Sequence, residues 1–69
     1  MTQKELLYVE DAVSHEQSII SYLKDAVSCI EDENLYIFLE DEIKCHESIS
    51  KKLISLLESE SNEWSRIND

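Results

Sequence analysis

Three residues of this 69-residue chain combine the right types with unusual positions: Glu16, Glu42 and His46. Carboxylate oxygen and imidazole nitrogen are the ordinary ligands of Fe, Zn and Mn. They also bond to one another when no metal is present. Each of the three falls on a repeating apolar seam, where a charged group is costly unless it is paired or bound to a metal. Glu42 and His46 are four residues apart, which on a helix puts them on one face. These three are the candidate metal-ligating residues, with Fe or another transition metal as the candidate cofactor. Other candidates carry less. His15 and Asp11 form an i, i+4 pair on the flank of the same stretch, a position that solvates both. Cys29 and Cys45 lie off the strict seam and too far apart in sequence for a thiolate metal motif. Tyr22 and Tyr36 read as edge packing. No nucleophile, base and orienting group occur together, so no catalytic residue is assigned and enzyme activity is left open.

The elements that must position these groups follow from the spacing of apolar residues. Leu6, Val9, Val13, Glu16, Ile20, Leu23, Val27 and Ile30 alternate at intervals of three and four, an unbroken heptad seam. Ala12, Ile19 and Ala26 widen it. Thr2 and Glu5 form the T-x-x-E capping box that starts a helix. A second seam runs Leu35, Leu39, Glu42, His46, Ile49, Leu53 and Leu56, broadened by Ile43, Ser50 and Leu57. The two seams differ in phase, and the break falls at Glu31-Asp32-Glu33-Asn34. Asp32 can cap the second helix, and Asn34 tolerates a left-handed backbone. The predicted fold is all-α: an antiparallel two-helix hairpin over residues 1–60, with helices at about 3–31 and 33–60. An acidic polar tail follows at 61–69, where Trp64 is the one group able to fold back on apolar surface. Two helices of this length cannot cover wide apolar stripes by themselves, so the hairpin is expected to dimerise into a four-helix bundle.

Composition narrows the class. There is no Gly and no Pro, and 16 acidic residues face 6 basic ones for a net charge of −10. Tight β turns and phosphate-cradling loops draw on residues the chain lacks. A single core of this size is marginal without disulfides, metal or oligomerisation. The longest apolar run, Leu35 to Leu39, is far short of a membrane span. No export signal is visible, which points to a cytoplasmic protein with reduced thiols.

The stretches Leu6-Leu7-Tyr8-Val9-Glu10-Asp11-Ala12, His15-Glu16 and Leu39 to Glu47 resemble the ferritin-like superfamily. The nearest likeness is to half-length members: spore-coat-F-like and rubrerythrin-related proteins, and short encapsulated ferritins that dimerise to complete a bundle. The resemblance implies a first-helix carboxylate at Glu16 and a second-helix ligand pair at Glu42 and His46. Such bundles use four carboxylates and two histidines, the count that two copies of the three residues supply. The family's Glu-x-x-His would place Glu at position 43, which is Ile43 here; Glu42 stands one residue earlier.

With the turn centred between Asp32 and Glu33, Glu16 lies level with Ile49. His46 is then about 4.5 Å away along the axis and Glu42 about 10 Å. Glu16 and His46 are expected to meet, and Glu16 and Glu42 are not expected to share an ion in one hairpin. The functional expectation is a metal-binding, ferritin-like hairpin with its site inside a homo-oligomer. The alternative is a structural or interaction protein, coat-like or adaptor-like, with a metal-free polar layer and an acidic surface for a basic protein partner. An RNA-binding hairpin dimer is disfavoured, because the six cations are scattered among acidic residues and form no basic face.

Overall fold

The computed structural model describes the backbone of residues 1–68 and the side chains of residues 1–60. It contains two helices, α1 (Gln3–Val27) and α2 (Glu33–Asn68), and no strand among the described residues. The expected tail and the placing of Trp64 concern side chains outside that set.

Each helix begins where a side chain replaces the missing backbone acceptor. Thr2 Oγ1 accepts from the Glu5 N–H at 3.1 Å, and the Thr2 N–H donates to Glu5 Oε1 at 2.7 Å. Both halves of the capping box are therefore made. Those bonds from the Thr2 backbone and side chain hold the Glu5 carboxyl below its ordinary pKa. At α2, Asp32 Oδ1 accepts from the Leu35 N–H at 2.8 Å, and its carbonyl takes the first helical bond from Tyr36.

The boundaries differ from those expected. α1 stops at Val27 rather than near residue 31, and α2 extends past residue 60. Ser28 accounts for the early stop. Its hydroxyl donates to the Asp25 carbonyl at 2.6 Å, while Cys29 and Ile30 turn back onto Ala26 and Val27. No described residue has positive φ, and Asn34 lies in the first turn of α2. The left-handed role foreseen for Asn34 is thus not used: serine closes one helix, aspartate opens the next, and the five-residue link between them needs no glycine.

The helices pack side by side in a rod of 54 × 16 × 14 Å. Every member of the expected first seam, from Leu6 on α1 to Ile30 in the link, is half-buried. On α2 the contact is rotated. Ile43 and Ser50, read as flanking residues, are the two most covered positions, while Leu35, Ile49 and Leu56 remain exposed. The apolar face of α2 is wider than one partner helix can cover. α1 takes the side centred on Leu39, Ile43, His46, Ser50, Leu53 and Leu57, and the other side is left open.

Candidate functional site

Glu16 sits at the middle of α1, with Val13 and Ile20 on the adjoining turns of the same face. His46 occupies the equivalent place on α2, one turn from both Ile43 and Ser50. The two side chains meet across the helix interface: His46 Nδ1 lies 2.5 Å from Glu16 Oε2. Both are largely covered, with side-chain exposures of 22% and 15%. Where Glu16 is ionised it can only accept a hydrogen bond, and Nδ1 is then the donor.

That bond fixes what the other ring nitrogen can do. In a neutral imidazole with its proton on Nδ1, Nε2 presents a lone pair. Nε2 points toward Glu42, whose Oε2 is 3.8 Å away. In the imidazolium both nitrogens donate, one toward each carboxylate. His46 is thus the centre of a three-membered chain that leads from the helix interface, through the ring, to the half-covered Glu42.

Expected placements stand as follows. Glu16 and His46 are brought together, and Glu42 reaches the group through His46 rather than through Glu16. The register differs: Glu16 is opposite His46 itself, where Ile49 was expected. The early end of α1 at Ser28 moves the link toward the N-terminus, in the direction of that shift. His15 is exposed on the flank, and Cys29 and Cys45 are both free and exposed. Tyr22 and Tyr36, expected to pack at an edge, stand exposed at 75% and 44%. Ser50, read from the sequence as a flanking member of the second stripe, is the buried polar neighbour of His46. An ion pair joins the Met1 amine to Glu60 Oε1 at 3.2 Å, which no residue pattern announces because it depends on the helix register.

Among the described residues, no group of three or more His, Cys, Asp or Glu side chains converges as a metal site. The geometry explains why. Glu16 and Glu42 approach opposite nitrogens of one ring, so their oxygens do not face a common point. A shallow trough of about 590 Å³ runs along Ser14, Ser18, Ser21 and Tyr22. It lies on the outer face of α1 alone and also takes in Gln17 and Asp25. Among the described residues, no helix is long and apolar enough to cross a membrane. No protein-family model, curated protein or solved structure matches this chain.

Proposed function

We propose that the chain is a non-catalytic assembly protein: an antiparallel helical hairpin that pairs with a second copy into a four-helix bundle. In this reading the Glu16–His46 pair is a polar layer of the bundle, and the acidic exterior is available to a basic protein partner. The antiparallel arrangement rests on two contacts, Met1 with Glu60 and Glu16 with His46: advancing along α1 retreats along α2.

The observation that carries the proposal is uncovered surface. Tyr8, Tyr22, Leu35, Phe38, Ile49 and Leu56 are all exposed, a set of large apolar side chains that the contact between α1 and α2 leaves in water and that a second copy would cover. Sedimentation equilibrium tests this directly. A mass of twice 8.1 kDa is expected, and a monomer persisting at high micromolar concentration would refute it. Free, exposed Cys29 and Cys45 fit a reducing, cytoplasmic setting.

A second reading, the transition-metal site of a ferritin-like bundle, is favoured by one specific contact. His46 has a carboxylate on Nδ1 and turns Nε2 toward another, the arrangement in which an outer carboxylate orients a metal-binding imidazole. Bonds of about 2.0–2.2 Å hold two ligand atoms up to roughly 4 Å apart, so the 3.8 Å between Nε2 and Glu42 Oε2 fits a shared ion. Glu42 and His46 would be the ligands, and Glu16 would orient the ring. Among the described residues one chain brings these two together, and the second copy or water would complete the set. Titration with Zn, Mn and ferrous iron, repeated on Glu42→Ala and His46→Ala, decides the matter. Loss of binding in both variants supports this reading, and no binding by the unmodified chain removes it.

A further inference from the structure

The side of α2 that α1 leaves uncovered has its own regular pattern. Leu35, Phe38, Glu42, Cys45, Ile49, Lys52 and Leu56 follow one another at intervals of three and four. All are exposed except Glu42, whose side chain is 42% exposed. This is a complete second heptad seam on a helix that has only one partner within the chain. Its flanking stripe on α1 carries Tyr8, Ala12, His15, Ile19, Tyr22 and Ala26. Both stripes are displaced from the α1–α2 contact in the same rotational sense. In two right-handed helices running in opposite directions, such stripes lie on the same side of the pair. The hairpin therefore has one broad apolar face.

Apart from Leu35, the residues of the α2 seam pair off by complementary type about position 47. Phe38 mirrors Leu56, Glu42 mirrors Lys52, and Cys45 mirrors Ile49. A twofold interface requires this kind of self-complementarity: if residue i touches j, then j touches i. In an antiparallel coiled coil the two seam positions of one helix meet the complementary ones of the other. The seam then places an aromatic against a leucine, an acid against a base and a thiol against an isoleucine, each contact made twice.

We infer that α2 pairs antiparallel with α2 of a second copy, with the twofold axis crossing near residue 47, so that Glu42 bonds to Lys52 of the partner subunit. Phe38 packs against Leu56 of the partner subunit, and Cys45 lies beside Ile49 of the partner subunit. The chain of polar groups extends accordingly, from Glu16 through His46 and Glu42 to a cation on the neighbouring molecule. Among charged groups the seam holds only Glu42 and Lys52, so a chain of net charge −10 meets its copy through a face that is locally neutral. The inference rests on the dimer reading above and adds the face, the direction and the register.

A charge exchange tests it on the full chain. Glu42→Lys and Lys52→Glu are made singly and together, and the dimer dissociation constant is measured by sedimentation at moderate ionic strength. Each single reversal should weaken the dimer by about tenfold or more, because each creates two like-charge contacts per dimer. The double variant should return to within about threefold of the original constant. Glu42→Lys is the sharper arm: it lowers the net negative charge, so general repulsion alone would strengthen association. A dimer that tolerates either reversal, or that the double exchange does not restore, overturns the register while leaving dimerisation intact. A monomeric unmodified chain overturns both. An independent arm uses mild oxidation in a Cys29→Ser background. Ile49→Cys should give disulfide-linked dimers through Cys45 of the partner subunit much faster than Lys51→Cys, an exposed position on the side of α2 away from the seam. Equal rates would also overturn the register.

Discussion

The contact between Glu16 and His46 sets up the most informative perturbation. Replacing Glu16 with Ala leaves an imidazole N–H at the helix interface without its acceptor; replacing His46 with Ala leaves a carboxylate there without its donor. Exposed ion pairs couple by about 0.2–1 kcal/mol, and breaking a fully buried pair costs about 3–5 kcal/mol. With side-chain exposures of 15% and 22% the pair belongs between these limits, and the expected coupling is about 1–2 kcal/mol. The assay is a double-mutant cycle by urea unfolding at neutral pH, at one fixed protein concentration because an associating chain gains stability by mass action. Gln17→Ala, exposed on the side of α1 away from the apolar face, is the control and should change stability by less than about 0.5 kcal/mol. Coupling below about 0.3 kcal/mol would refute the reasoning, since independent sites add within that margin. Glu16→Leu combined with His46→Leu extends the test. Apolar replacement of both members of such a pair is often neutral or stabilising. If the double Leu variant unfolds at higher urea yet loses a single oligomeric state, the pair contributes specificity rather than stability.

Three further outcomes follow from the packing. Ile43→Ala should destabilise the chain by about 2–4 kcal/mol, because Ile43 is the buried residue of the helix interface. Ile49→Ala should instead act through association, with its effect fading as the protein is diluted below the dimer dissociation constant. Thr2→Ala and Asp32→Ala each remove a helix-starting acceptor and should cost about 1 kcal/mol apiece, read by thermal unfolding. The capping box also has a pH signature. The Glu5 carboxyl is held below its ordinary value of 4.5 by its Thr2 bonds. A lowered folded pKa gives a contribution that is complete above the unfolded value and is lost as pH falls through the folded one. The difference in stability between the unmodified chain and Glu5→Gln should therefore persist at neutral pH and shrink only on acidification below 4.5, as followed by circular dichroism.

Much of this arrangement is legible in the residues themselves. The capping box at Thr2 and Glu5, the cap at Asp32 and the α1 seam all follow from local rules, because each depends on residues within one or two turns. The meeting of Glu16 and His46 was also accessible, since a hairpin with a short link allows few registers. The turn was harder to read. Asn34 and the acidic cluster suggested a link at 31–34, but the hydroxyl of Ser28 ends α1 earlier, and serine is too common within helices to mark a stop by itself. The shift of the pairing from Ile49 to His46 goes in the direction that this local choice sets, and its extent is decided by how the two helices pack.

The sequence by itself determined that the chain is helical, where its helices start, and that charged residues stand among apolar ones on both seams. Those properties are periodic and local. Only the tertiary structure decided which part of the wide α2 face α1 would cover. Leu39, Ile43, His46, Ser50, Leu53 and Leu57 form one possible contact, and Leu35, Phe38, Ile49 and Leu56 form part of another. Periodicity treats the two alike, because both repeat every seven residues on the same helix. The choice between them depends on how the helices are rotated when their side chains interlock. That rotation joins Glu16 to His46 within the chain and leaves Glu42 at the edge of the open face.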